Sequence, residues 1–153
     1  MIDGIARTAP IVILLAEDND SDARLTEEAM KESRFNHSLY RVKDGVDTMA
    51  FLHREAPYQD APRPNLILLD LNMPKKGGLE VLEELKNNKS LAGIPVVVLT
   101  TSNAEADIVK SYKLKASCYV RKPVDFERFI DVVKDIEHFW LKVARLPSDY
   151  SRV

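Results

Sequence analysis

Four consecutive aliphatic residues, Leu66-Ile67-Leu68-Leu69, run straight into Asp70, and a turn follows at once. A run with no polar side to offer water reads as a strand buried on both faces, the kind found in parallel sheets. Such sheets carry their chemistry just beyond the carboxyl ends of the strands. Asp70 therefore stands at the rim of a crevice. Pro74 and Gly77-Gly78 make the return loop, and Leu79, Leu82 and Leu85 at helical spacing predict the helix after it. Taken alone, Asp70 could equally be a helix cap. The rest of the chain decides between the two readings.

The same grammar repeats along the chain. Pro10 to Ala16 is a second buried-type run, and it ends on Glu17-Asp18. Asn19, Asp20, Ser21 and Asp22 supply helix-capping residues, and a helix is predicted to about Ser33. Leu39 to Val42 is a short strand whose polar interruption suggests a sheet edge. Asp44-Gly45 turns into a helix that reaches about Glu55, and a proline-rich loop spans 56–64. A fourth strand, 94–99, ends on Thr100-Thr101-Ser102, and a helix is predicted over 104–115. A fifth strand, Cys118-Tyr119-Val120, ends on Arg121-Lys122-Pro123, and a long helix is predicted over 125–144. Strand and helix alternate five times, which predicts an α/β sheet with right-handed crossovers and helices on both faces. The expected organisation is an N-terminal arm over 1–9, one domain over 10–144 and a tail over 145–153.

The totals narrow the class. The chain has 153 residues, enough for one well-buried domain without disulfides. Cys118 is its one cysteine, so there is no disulfide framework or Cys/His zinc pattern. A net charge of −2 offers no electrostatic case for nucleic acid. No apolar run approaches the roughly 18 residues of a membrane span, and no secretory signal is evident. The expectation is a cytoplasmic protein that binds neither nucleic acid nor membrane. His37, His53 and His138 have no ligand spacing and read as solvated.

Separate strand ends thus deliver Glu17, Asp18 and Asp70 to one rim. Two carboxylates about 4 Å apart repel by roughly 4 kcal/mol at an effective dielectric near 20. Either one of the three is protonated or a cation sits among them. The natural cation for an all-oxygen set is a hard divalent ion such as Mg²⁺, which takes a few carboxylates plus waters and phosphate oxygens. The remaining strand ends supply the hydroxyl of Thr100 and the ammonium of Lys122. That combination suits a phosphoryl group, with cation and ammonium neutralising its oxygens and the hydroxyl donating to them. No Gly-rich cradle marks a nucleotide.

In the order Glu17-Asp18, Asp70, Thr100 and Lys122-Pro123, each after its own strand, the chain resembles a response-regulator receiver domain of two-component signalling. The resemblance covers about residues 10 to 143. The segments Leu15-Ala16-Glu17-Asp18-Asn19, Leu69 to Pro74 and Leu99 to Asn103, with the long loop before Asn65, resemble the small stand-alone regulators that serve cyanobacterial phytochromes. The resemblance implies a flavodoxin-like five-stranded parallel sheet in the order 2-1-3-4-5. It implies that Asp70 accepts a phosphoryl group from the phosphohistidine of a sensor histidine kinase, here of phytochrome type. Asp18 and Asp70 would ligate Mg²⁺ directly, Glu17 through water, and Asn72 through its backbone carbonyl. Lys122 would contact the phosphoryl oxygens, with a cis bond to Pro123. Thr100 and Tyr119 would form the switch, Tyr119 turning inward behind Thr100.

Rival readings fit less well. An aspartyl-phosphate phosphohydrolase wants a second acid two residues after its nucleophile, where Asn72 stands. An FMN carrier needs a hydroxyl- and Gly-rich loop where the acids stand. A receiver-shaped scaffold usually lacks the acceptor or the acid pair. The chain is therefore expected to signal rather than to act as an enzyme. Nothing after Ala144 is long enough to form an output domain, so the output is expected to be a protein contact. On the last helix, Phe126, Phe129, Ile130, Val133, Glu137, Trp140 and Leu141 share one side. Val132, Ile136, Phe139 and Val143 widen that apolar arc to roughly 200°, about twice what one core stripe needs. These four are expected to form a homodimer surface together with the fourth helix and fifth strand.

Overall fold

The computed structural model describes residues 10–32 and 36–147. The arm at 1–9, the predicted end of the first helix at Ser33, and the tail beyond Pro147 lie outside the described residues.

Five short extended runs form the strands β1 (Ile11–Ala16), β2 (His37–Val42), β3 (Leu66–Leu69), β4 (Val96–Thr100) and β5 (Cys118–Arg121). Between and after them run α1 (Asp20–Lys31), α2 (Gly45–His53), α3 (Gly78–Lys86), α4 (Glu105–Lys113) and α5 (Phe126–Glu137). The strands make one parallel sheet in the order β2-β1-β3-β4-β5. The chain is thus a flavodoxin-like α/β domain, and the polar β2 is an edge strand as its composition suggests. All four residues of β3 are buried, because it lies at the sheet centre with helices on both sides. Their side chains alternate between two cores. Ile67 and Leu69 join Leu14, Val81, Leu82 and Val98 on one face, while Leu66 and Leu68 join Ile13, Met30, Phe129 and Val133 on the other.

Two glycines set the loops near the strand ends. A Cβ on Gly78 would lie 2.6 Å from the carbonyl oxygen of Asp70. A Cβ on Gly45 would lie within 2.7 Å of the backbone of Lys76. In both places only a hydrogen fits, so α2 and α3 start hard against the loop that leaves Asp70.

The end of the last helix differs from a regular wheel. After Glu137 the helix continues as a π-helical turn over His138–Val143, closed by the Ala144 N–H donating to the Phe139 carbonyl at 2.7 Å. The wider turn changes which side chains face inward. Leu141 and the tail residue Leu146 are both 1% exposed and complete the core under α1 and α5. Ile136 belongs to that same core at 6% exposure, and Val132 packs against it. The expected dimer surface therefore loses Ile136, and part of the broad apolar arc is core covered by the tail. Phe139 and Val143 remain exposed, at 49% and 55%. Among the described residues the cis peptide is Ala56–Pro57, not Lys122–Pro123. The two X–Pro isomers differ by only about 0.5–1 kcal/mol, so a Lys-Pro pair does not by itself choose one. Among the described residues no helix is long and apolar enough to cross a membrane.

Candidate functional site

Register brings the acids together. Ala16 pairs with Leu69 across β1 and β3, so the next residues, Glu17 and Asp70, emerge side by side. The ladder continues past the strands, with the Asp70 N–H donating to the Ala16 carbonyl at 3.0 Å and the Glu17 N–H to the Val42 carbonyl at 3.0 Å. On the other side the Lys122 N–H donates to the Thr100 carbonyl at 2.7 Å. Four strand ends thereby place Glu17, Asp18, Asp70, Thr100 and Lys122 around one point.

Ligating oxygens of Glu17, Asp18 and Asp70 all lie within 4.8 Å of one another. Oxygens on opposite sides of an ion that binds at about 2.1 Å are about 4.2 Å apart, so a small closure of the trio fits a hard divalent cation. Glu17 and Asp70 are buried, and Asp18 is exposed toward solvent, from which an ion would enter.

Around Asp70 every oxygen is engaged. The Thr100 hydroxyl donates to Oδ1 at 2.8 Å, and the Asn72 N–H donates to the same oxygen at 3.1 Å. The Lys122 ammonium donates to Oδ2 at 3.0 Å. The Asn72 side-chain amide lies 3.5 Å from the Thr100 hydroxyl. Lys122 is itself 3% exposed and reaches two further carboxylates, Glu17 at 2.6 Å and Asp22 at 2.9 Å. The Tyr119 hydroxyl donates to the Ser102 carbonyl at 2.9 Å, and its half-buried ring packs against the core beside α2 and α3. Tyr119 is thus tied to the loop that leaves Thr100.

Two residues of the site escape a reading by motif. Arg41, on the edge strand, donates from Nε and Nη2 to the Glu17 carbonyl at 3.0 and 2.8 Å, and pairs with Asp20 at 2.9 Å. This fork fixes the backbone that carries the acid pair. Its only trace in the sequence is the polar interruption of an otherwise apolar strand. Asp22 reads as one of several capping residues. The cap is in fact Asn19, whose side chain accepts from the Asp22 N–H at 2.9 Å. The Asp22 carboxylate is left to reach Lys122.

Crowded acids shift one another's protons. Burial pushes the Glu17 carboxyl up, to about 8, with Asp70 adding to the effect and Lys122 opposing it. Burial would raise Asp70 as well, but the hydrogen bond from Glu17, the Lys122 charge, the Asn72 N–H and the Thr100 hydroxyl together hold it below the usual carboxylate range. Burial would lower Lys122, and the surrounding acids, Glu17 foremost, hold it well above its ordinary value. Without a cation, one proton therefore stays on Glu17. The unfolded chain releases that proton near 4.5 and the folded chain near 8. Between those values the folded state holds more protons, so metal-free stability falls as pH rises through this window. Asp70 acts the opposite way, and its contribution is lost only as pH falls below its unfolded value of 3.8. Urea unfolding in a chelator should show the decline between pH 4.5 and 8 in wild type and a flatter profile in Glu17→Gln. Parallel profiles would remove Glu17 as the proton's seat.

Similarity to known proteins runs along the same lines. The family model described as "Response regulator receiver domain" matches residues 13–134. Response regulator Rcp1 from Synechocystis sp. is 50% identical over 139 residues, covering 91% of this chain and 95% of that protein. The solved structure of the phosphorylated cyanobacterial phytochrome response regulator RcpA shares 49% identity, with a TM-score of 0.88 over 91% of this chain and 99% of that one. The structure of Rcp1 in its Mn²⁺-bound form shares 50% identity, with a TM-score of 0.88 over 90% and 99% of the two chains.

Proposed function

The chain belongs to the response regulator receiver domain family, and from that premise we propose that Asp70 accepts a phosphoryl group from the phosphohistidine of a phytochrome-type sensor kinase. The observation that carries this reading is the surround of Asp70. A hydroxyl and an ammonium grip its two oxygens, and two further acids stand within metal-sharing distance. An Asp70 oxygen forms a bond to phosphorus as the bond from phosphorus to the imidazole nitrogen breaks. The imidazole leaves and the carboxylate becomes an acyl phosphate. Lys122 and Thr100 then hold phosphoryl oxygens. Asp18, Asp70 and the Asn72 carbonyl would hold Mg²⁺, with Glu17 acting through water. When bound, the ion neutralises charge on the transferring group. The Mn²⁺ of the Rcp1 structure supports a divalent ion at this rim.

The phytochrome assignment rests on the likeness to RcpA, a cyanobacterial phytochrome response regulator, and on half-identity to Rcp1. The apolar Val124 and Phe126 stand 98% and 59% exposed just past Lys122, where a docking kinase helix would cover them. A cytoplasmic place fits such a partner. Thr100 exchanges Asp70 for the phosphoryl group, and the Tyr119–Ser102 bond passes that change to β5. A phytochrome-type kinase autophosphorylated on histidine should lose its label to the wild-type chain within minutes. A label that stays on the kinase would oppose the assignment.

Output would run through a second copy. Val109 and Tyr112 on α4, with Phe139 and Val143 on the π-helical turn, leave apolar surface on both elements that flank the edge strand β5. Burying such a side chain is worth about 1.5–3 kcal/mol. Sedimentation velocity should show a dimer that Val143→Asp weakens, and a monomer under all conditions would reject this surface.

A further inference from the structure

We propose that Asp22 is the contact Lys122 gives up when Asp70 is phosphorylated, so that Asp22 is a positioning residue that restrains phosphoryl uptake. The inference rests on the reading of Asp70 as the acceptor. A lysine ammonium has three N–H donors. Here all three are in use, on Glu17 at 2.6 Å, on Asp22 at 2.9 Å and on Asp70 at 3.0 Å. An arriving phosphoryl group brings three strong acceptor oxygens. Lys122 reaches one of them only by releasing a carboxylate it already holds.

The three carboxylates are not equally easy to release. Asp70 is the atom group being modified, so its contact is converted rather than lost. The Glu17 side chain is 3% exposed, so water cannot replace the contact with Lys122 if the two part. The Asp22 side chain is 25% exposed and lies in the first turn of α1. Once free it meets water and the positive end of the helix, both of which suit a carboxylate. Asp22 is therefore the member of the set whose release costs least.

Two consequences follow from this exchange. Asp22 competes with the phosphoryl group for one ammonium proton, and its own charge repels the incoming dianion. Its removal should speed phosphorylation. The Lys122–Asp22 bond also joins the end of β5 to the start of α1, 100 residues apart in sequence. Phosphorylation at Asp70 would undo that link and free the first turn of α1.

The test uses the full chain with acetyl phosphate and Mg²⁺, followed by intact mass over time. The net worth of one such hydrogen bond corresponds to roughly a two- to tenfold change in rate. Asp22→Ala and Asp22→Asn should be phosphorylated faster by about that factor, and Asp22→Glu should return toward the wild-type rate. A structure of the wild-type chain with Mg²⁺ and beryllofluoride should place the Lys122 ammonium on a fluorine and out of hydrogen-bond reach of Asp22. Unchanged or slower uptake in both Asp22→Ala and Asp22→Asn, or an intact Lys122–Asp22 bond beside beryllofluoride, would overturn the proposal. Absence of any phosphoryl on the wild type would instead bring down the acceptor reading, and this inference with it.

Discussion

Lys122→Met is expected to lower the stability of the metal-free chain by about 3 kcal/mol, with Mg²⁺ restoring a large part of the loss. The methionine keeps most of the apolar stem of the lysine and removes the ammonium, with its charge and its three donors. That charge is the hub of the site, because the carboxylates of Glu17, Asp22 and Asp70 all gather on one ammonium that is 3% exposed and donates to them. Breaking a buried ion pair by deleting one partner costs about 3–5 kcal/mol, since it strands the other charge. The lower end applies here, because Glu17 can keep a proton up to about 8 and so remain neutral. A divalent cation bound among Glu17, Asp18 and Asp70 supplies positive charge to the same oxygens. Its binding to the folded state alone then adds stability by mass action. Urea unfolding in chelator and in excess Mg²⁺ checks this. A loss below about 1 kcal/mol, or one that Mg²⁺ leaves unchanged, would mean that Lys122 is not what holds the acids together.

The fold was open to reading because apolar pattern and topology coincide. Leu66 to Leu69 have no polar face, and they occupy the central strand of the sheet, buried on both sides. The five site residues were readable for a related reason. Each is the first or second polar residue after an apolar run, and parallel strands all point those ends the same way. What stayed hidden depends on three dimensions. Arg41 acts across the sheet on a carbonyl, which leaves no sequence motif. Asp22 is distinguished from its neighbours Asp20 and Ser21 only once Asn19 takes the cap. Ile136 reads as available for a partner because the apolar arc is so broad, yet it stands three and seven residues after Val133 and Phe129 and shares their core face. The π-helical turn and Leu146 enclose that region, and neither departs from an ordinary helix-and-tail pattern in composition.

Asp70→Asn is expected to abolish phosphorylation while leaving the fold intact. The substitution keeps shape and size, and the amide oxygen still accepts from Thr100 or Lys122. It removes the carboxylate oxygen that bonds to phosphorus, and no neighbour replaces it. The Glu17 side chain is 3% exposed and held by Lys122, so it offers no free oxygen to an incoming donor. Asp18 is exposed but lacks the Thr100 and Lys122 contacts that would steady a transferring group. The loss should therefore be complete rather than partial.

The most direct measurement is intact mass after incubation with acetyl phosphate, made on wild type and Asp70→Asn, each with Mg²⁺ and with chelator. One phosphoryl group should appear on the wild type in Mg²⁺ alone. Phosphorylation of Asp70→Asn, or of the wild type equally in chelator, would contradict a metal-assisted acceptor at the end of the central strand.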